Sequence, residues 1–571
     1  MKTNQSIRQL YSQVKKQRKN TGILILILII LSLLPISCTA PTSISQCLSG
    51  EAAQEVFEKT VPVHWNPYQT IEEARYTENR LIVGYTDESA LESLIQTLGA
   101  TYLDSIVQIQ AALLQIPESV SKTLEQIRQL HPQGIRYVSP NYHAQPNSIG
   151  ELVNGENLSD RSNTENRTPP NDPLFGFQWS HTRINSQSAW DQEIKGNGII
   201  VAVFGTGVDG AHPDLEGQFV TGWEWDSETA TASLIQPGDS ADYNGHGTHV
   251  AGIIAAKENN SIGICGLSPA SKIMPIPSLE LDAFAKAKGI CWAVENGAQI
   301  LQNSWCFIYG GYIDVLKDAY DYAIEQDVLV VFASANSHVA ENWSSPRSWP
   351  GIMVVGASDV HDQVTTFSNG CASLSVVAPG KQILSTVNMY NNGAIVDPDP
   401  GKYAYYSGTS MAAPHVSALA ALLWEKHPGA SAYQVRRLIE ESASPIDPPS
   451  WSQPIKGHSP WTGYGRIDVA QALSLQLPQE TPGNLHIQSV DESGQPVNRF
   501  FYVTLARSDG TNYWSRTQLQ GGLCQFNAID PGIYDVYIGE APREDSIAPQ
   551  AFRFKQMSVD DDTILEVIFS D

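Results

Sequence analysis

Three short segments hold residue types that could carry out acyl transfer. Ser410 lies in Ser407-Gly408-Thr409-Ser410-Met411-Ala412-Ala413-Pro414, among small residues and at the start of a helical stretch running to Lys426. A hydroxyl there reaches a substrate carbonyl without hindrance, and the helix N-terminus favours the negative charge that develops on attack. His246 lies in Asn244-Gly245-His246-Gly247-Thr248-His249-Val250-Ala251-Gly252 and could remove the hydroxyl proton as a general base. Asn336 closes Ala333-Ser334-Ala335-Asn336, after an apolar run, and its side-chain amide could donate to an oxyanion. A serine or histidine alone would read as a satisfied polar residue; the three segments together carry more. His246 and His249 are three apart with no glutamate in a zinc-peptidase arrangement, which argues against zinc.

A second constellation competes. Gly205-Thr206-Gly207-Val208-Asp209-Gly210 fits the glycine spacing of a dinucleotide-binding turn, with Glu224 and Asp226 about 20 residues on. That turn needs a helix opening at its glycines so that the N-terminus faces the pyrophosphate. Here the chain continues Ala211-His212-Pro213-Asp214, and the proline disfavours that helix.

The elements that must position these residues form distinct blocks. Residues 79–146 read as a small α+β domain, with strands over 80–85, 106–116 and 135–139 and helices over 89–98 and 120–130. Residues 147–170 are polar and read as a linker. Residues 171–476 hold unalternating apolar runs at 199–204, 328–332 and 352–356, separated by helical stretches at 282–296, 312–326 and 410–426. This is the pattern of an α/β domain, a parallel sheet covered by helices on both faces. Residues 483–571 carry short strands at 485–490, 500–505, 533–538 and 564–569 with turn signals between them, a small β-sandwich. The turn Asp530-Pro531-Gly532 leading into Ile533-Tyr534-Asp535-Val536 resembles carboxypeptidase-regulatory-like modules.

The segments around His246, Asn336 and Ser410 resemble those of the subtilisin-like serine peptidases, in that family's order, and the likeness spans nearly all of residues 171–476. It implies Ser410 as nucleophile and His246 as base, with Asn336 and the Ser410 backbone N–H as oxyanion donors. It also implies a peptide or protein substrate. The family's third catalytic residue, an aspartate, ends the first core strand. Here that strand ends Val201-Ala202-Val203-Phe204-Gly205-Thr206-Gly207, and Gly205 takes the aspartate position. Losing that carboxylate from subtilisin costs roughly 3 × 10⁴ in rate. Asp209 and Asp242 are the nearby acids that could stand in. Ser304-Trp305-Cys306 matches the segment beside the main specificity pocket, where the family usually ends in glycine. Calcium is implied at Asp214 and the loop containing Asn260. Residues 79–146 resemble the family's inhibitory propeptide, whose tail, here 140–146, lies in the cleft.

The 571 residues carry a net charge of −25, which sets nucleic-acid binding aside. Residues 1–40 hold six basic side chains and no acid, leaving −31 on the remainder. That basic head, the apolar run 22–35 and Ser37-Cys38 read as an export signal over residues 1–38. Leu34-Pro35-Ile36-Ser37-Cys38-Thr39 resembles a bacterial lipoprotein signal, which implies lipidation and membrane anchoring at Cys38; ordinary cleavage and an uncleaved anchor are the alternatives. All three place the body outside the cytoplasm. Cys265, Cys291 and Cys306 lie in apolar surroundings and read as buried thiols. The expected protein is an exported subtilisin-like serine endopeptidase with an incomplete triad and reduced turnover. The alternative is a pseudopeptidase that binds peptides or acts as a scaffold.

Overall fold

Along the first strand, β1 (Tyr76–Tyr85), successive side chains serve two different cores. Leu81 and Val83 pack beneath two helices of the same unit, α1 (Glu88–Leu98) and α2 (Val120–Leu130), while Ile82 packs into the large domain. Asp87 caps α1 by accepting from Ser89 N–H, and Gly99 ends it in the left-handed region at φ 61. The strand joins β2 (Thr101–Ile106), β3 (Ala111–Gln115) and β4 (Ile135–Tyr142) in the order β2-β3-β1-β4. The single strand expected over 106–116 is split. A 3-10 turn at Val107–Ile109, followed by Gln110 at φ 48, folds β2 back onto β3.

This computed structural model describes residues 76–143, 151–152, 169–448 and 458–568. Breaks fall at 131, 133, 241, 279–280, 306–312, 340–345, 348, 372, 389–401, 449–457, 491–500, 508–513, 519–522, 541–550 and 560–561. The export signal with Cys38, most of the linker and Cys306 therefore lie outside the described residues.

The large domain is built on six parallel strands in the order β13-β12-β11-β10-β6-β9. They are β6 (Ile200–Gly205), β9 (Lys272–Pro277), β10 (Ile300–Asn303), β11 (Leu329–Ala333), β12 (Ile352–Ser358) and β13 (Leu374–Pro379). Val201 and Val203 of β6 enter the core that holds helices α3 (His246–Ala255) and α6 (Thr409–Lys426). Ala202 and Phe204 enter the opposite core with α4 (Ala283–Glu295) and α5 (Asp314–Glu325). Both faces are covered, which is why these strands are apolar without alternation. Two small antiparallel sheets flank the main one. The first pairs β7 (Gly222–Asp226) with β8 (Thr231–Ile235), and the second orders β14 (Ile383–Thr386), β15 (Tyr403–Ser407) and β5 (Glu151–Leu152).

The N-terminal sheet docks on α4 and α5, where Ile82, Ile109, Leu113 and Tyr137 join that core. Arg136 Nη1 (2.7 Å) and Tyr137 OH (3.0 Å) both donate to Asp318 Oδ2. The C-terminal strands, β16 (Gly483–Val490), β17 (Phe501–Arg507), β18 (Trp514–Gln518), β19 (Leu523–Ile529), β20 (Gly532–Glu540), β21 (Ala551–Val559) and β22 (Asp562–Ile568), form two sheets. Their orders are β19-β16-β22 and β18-β17-β20-β21. Buried Asp530 ties this unit to helix α7 (Ala432–Glu441), accepting from Arg436 Nη2 at 2.7 Å and Arg437 Nη1 at 3.3 Å. No helix among the described residues is long and apolar enough to cross a membrane. Cys265, Cys291 and Cys371 are buried and form no disulfide among the described residues.

Candidate active site

Ser410 is the second residue of α6, and its own carbonyl is freed by a residue four positions on. Pro414 has no N–H to return to the Ser410 C=O. Ser304 Oγ fills that role, donating to Ser410 O at 2.9 Å, and Gln302 Nε2 donates in turn to Ser304 Oγ at 2.7 Å. Ser417 Oγ, about two helical turns beyond Ser410, donates to Gln302 Oε1 at 2.5 Å. The end of β10 is thereby fastened to the start of α6. The Ser410 hydroxyl donates to Ser304 O at 3.4 Å.

Asn336 is aimed from the end of β11. Ala335 takes a left-handed turn at φ 82, and its N–H donates to Thr409 Oγ1 at 3.1 Å. Thr409 N–H (2.8 Å) and Thr409 Oγ1 (2.9 Å) both donate to Asn336 Oδ1. This fixes the amide by its accepting end beside the residue that precedes Ser410. The donating end, Nδ2, is the one an oxyanion requires.

His246 opens α3, and α3 packs against α6. Gly205 ends β6 beside this helix start, where a Cβ on it would meet only Gly247 Cα, at 3.9 Å. The imidazole is 3% exposed, and its buried Nε2 has no hydrogen-bond partner among the described residues. Burial pushes its pKa down to about 4, against a smaller upward pull from the charge of Asp242. Neither proposed stand-in acid bonds to the ring. Asp242 Oδ1 accepts from Thr206 Oγ1, Asn244 N–H and Gly245 N–H, and Oδ2 accepts from Thr248 N–H and Oγ1. Its charge is absorbed as the cap of α3. Asp209 is buried on a loop bridged to Ser240, with Oδ1 accepting from Ala211 N–H.

His249 is structural: Nε2 bonds the carbonyls of Ile383 (3.0 Å) and Ala404 (3.1 Å), and the ring stacks on Tyr406 at 4.4 Å. The glycines after β6 lead into the 3-10 turn Pro213–Leu215 rather than a helix, so the dinucleotide geometry is absent there.

Trp305 is buried. Its Nε1 donates to Asn303 Oδ1 at 3.0 Å, and the Lys286 ammonium lies 5.0 Å over its ring while donating to Ser278 O. Composition gave no hint of this buried lysine, because its partners come from other segments. The tail of the N-terminal unit reaches the same wall: Phe284 N–H donates to Asn141 Oδ1, and His143 bridges Asp282. Beyond the break, Leu152 pairs with Tyr406 and Glu151 with Ser407, the latter three residues before Ser410. Of the expected tail 140–146, Pro140 and Tyr142 still pair with β1.

Asp214 accepts from Asn260 Nδ2 (2.8 Å), Ile264 N–H (2.9 Å) and Tyr403 OH (3.2 Å). Burial pushes its pKa up to about 7 despite these bonds, and Asp172 adds to the shift. Asp172, which the sequence reading did not single out, accepts from Asn259 and Asn260 N–H, and burial raises its pKa too. Two carboxylates therefore meet at this loop, oxygen donors of the kind calcium takes, while Asn260 presents Nδ2 to Asp214 and its Oδ1 accepts from Ile262 N–H.

A family model described as the subtilase family matches residues 196–480. Fervidolysin of Fervidobacterium pennivorans is 32% identical over 500 residues, covering 82% of this chain and 69% of that protein. The chain belongs to the subtilase family. Other similar subtilases include thermitase of Thermoactinomyces vulgaris, 36% identical over 53% of this chain and 99% of that protein. A probable subtilase-type serine protease of Deinococcus radiodurans is 27% identical over 88% of this chain and 71% of its own. The crystal structure of fervidolysin, described as a keratinolytic enzyme related to subtilisin, superposes with a TM-score of 0.75 at 30% identity, covering 88% of this chain and 79% of that one. A fervidolysin N-terminal prodomain model matches residues 66–141. The C-terminal match, residues 477–556, is a DR_A0283-like, Ig-like domain. That name, rather than the carboxypeptidase-regulatory-like one, describes this subtilase's β-sandwich.

Proposed function

We propose that this subtilase is an exported serine endopeptidase whose turnover is reduced by Gly205. Ser410 attacks the substrate carbonyl, His246 takes the Oγ proton and returns it to the leaving amine, and water then hydrolyses the acyl-enzyme. Asn336 Nδ2 and the Ser410 N–H hold the oxyanion, one such donor being worth about 2.7–4 kcal/mol. The observation that carries the reading is the joint fixing of Ser410 and Asn336 through Thr409 and Ser304. Nothing in a merely structural helix start would demand that arrangement. On the family resemblance Ser304 and Trp305, with Cys306 next in sequence, belong to the specificity pocket, and Asp214, Asn260 and Asp172 hold calcium.

The pairing of Glu151 with Ser407, three residues before Ser410, supports self-cleavage within about residues 143–171. Export with lipidation at Cys38 rests on the basic head and the Ser37-Cys38 sequence. The competing reading, a pseudopeptidase that binds peptides or serves as a scaffold, draws on the imidazole that lacks a partner. A fluorophosphonate probe separates the two. Labelling at Ser410, greatly increased by Gly205→Asp, together with an intact mass that shows a cut within about residues 143–171, is expected of the peptidase. No labelling without that substitution, and an uncut chain, would establish the pseudopeptidase.

A further inference from the structure

The strand end at Gly205 and the imidazole of His246 are complementary to a ligand that the chain does not itself supply. Three observations meet there. The side-chain direction of Gly205 is open, with only Gly247 Cα within 4 Å of a Cβ and at ordinary contact distance. His246, the residue before that Gly247, is 3% exposed, and its buried Nε2 has no hydrogen-bond partner among the described residues. The nearest acid that acts on it, Asp242, has both oxygens committed to five donors from Thr206, Asn244, Gly245 and Thr248. No acid of the chain is therefore left to accept from the imidazole once Nε2 turns to Ser410, and an anion at the Gly205 side would supply that acceptor.

We propose that the space opposite Gly205 binds a small carboxylate anion of formate size, which completes the His246–Ser410 pair from solution. The inference rests on the reading of these two residues as base and nucleophile. Sterics set the size. An aspartate's Cβ would be bonded to Cα, but a free acid must stand off by a van der Waals contact of about 3.5–4.0 Å. Formate has no methyl group to place in that gap, so it fits better than acetate, and propionate fits worse. The ten-residue helix that starts at His246 directs its positive end toward the same corner. In the reaction the Ser410 proton passes to His246 Nε2, while Nδ1–H donates to the bound carboxylate. The proton leaves on the amine, and the carboxylate is neither consumed nor altered.

The test is the rate of fluorophosphonate labelling of Ser410 in the full chain, in sodium formate against sodium chloride at equal ionic strength. Labelling should rise saturably by about tenfold or more, a small part of the roughly 3 × 10⁴ that the aspartate contributes in subtilisin. Acetate should do less and propionate nothing. Gly205→Asp should label without formate and ignore it. If Gly205→Asp labels but formate does nothing to the unsubstituted chain, the anion site is wrong and the assignment of His246 and Ser410 stands. If neither labels, both fall. An equal formate effect in the two chains is a salt effect and overturns the site. Titration of 13C-labelled histidine gives a readout independent of access to the cleft. Formate should raise the pKa of the His246 resonance in the unsubstituted chain and leave it unmoved in Gly205→Asp; no shift in the unsubstituted chain refutes the site.

Discussion

Gly205 and Gly247 face each other across the end of β6 and the start of α3, with a Cβ on Gly205 standing 3.9 Å from Gly247 Cα. The pair is asymmetric, because a Cβ on Gly247 would collide with the Gly207 carbonyl. The helix start is pressed onto the loop, while the strand end has room. Gly205→Asp should therefore fold. Its carboxylate would favour the imidazolium and raise the His246 pKa from about 4. The acid limb of Ser410 labelling against pH should move to higher pH in the variant. A limb that stays in place means the new carboxylate does not reach the ring.

Ser304→Ala removes the donor that replaces the missing N–H of Pro414 at the Ser410 carbonyl. It also strands Gln302 Nε2. Leaving a buried polar group unsatisfied costs about 1–3 kcal/mol. Urea unfolding should show a loss of that size, and Ser410 labelling should fall more than the stability loss accounts for. A midpoint unchanged from the parent would mean that the bond does not hold the helix start.

Five buried imidazoles bias stability against acid. Burial holds His181, His246 and His458 at about 4, and His249 and His415 at about 3, against about 6.5 when unfolded. The unfolded chain binds more protons as pH falls below that value, so stability is full above about 6.5 and declines below it. Asp214, raised to about 7, and Asp321, raised to about 6, act oppositely, their cost fading as pH falls. Burial raises the Asp172, Asp327 and Glu440 carboxyls in the same sense, but all five histidines lose stability over the whole interval from about 6.5 down to 5, and the urea midpoint should be lower at pH 5 than at pH 7.5. An equal or higher midpoint at pH 5 would contradict neutral burial of these rings.

Calcium at the Asp214 loop would displace the proton that burial favours there. Binding to the folded chain alone should stabilise it by about 2.7 kcal/mol at a hundredfold excess over Kd. Thermal unfolding should rise with calcium, more at pH 8 than at pH 5, and Asp214→Asn should abolish the response. A response that survives the substitution would place the ion elsewhere.

Asp318 receives both Arg136 and Tyr137 from the N-terminal unit. The pair is partly exposed, with side chains at 30% and 21%, and the contribution should be discounted to about 1 kcal/mol. Asp318→Ala should speed native-state proteolysis within residues 76–142 about fivefold, with the unfolding midpoint of the large domain unmoved. Equal proteolysis rates would show that the apolar face alone holds the unit in place.

The sequence by itself determined the family, the segments around His246, Asn336 and Ser410, the parallel sheet, and the glycine at position 205. These are covalent facts or periodicities, carried by near neighbours in the chain. The boundaries of α4 followed from Asp282 and Asn296 for the same reason, since each caps its end locally. Only the tertiary structure decided that Asp242 is committed to capping α3, that Ser304 serves the Ser410 carbonyl, that Trp305 lies buried under a lysine, and that Asp172 joins Asp214. Each of these depends on contacts between residues brought together from different strands and loops. The hairpin between β2 and β3 escaped the sequence reading because a lone residue at positive φ, Gln110, makes the turn without the usual glycine. Residue types name the groups that could react, but which carboxylate meets which imidazole is set by packing, where a buried charge goes to the set of donors that satisfies it best.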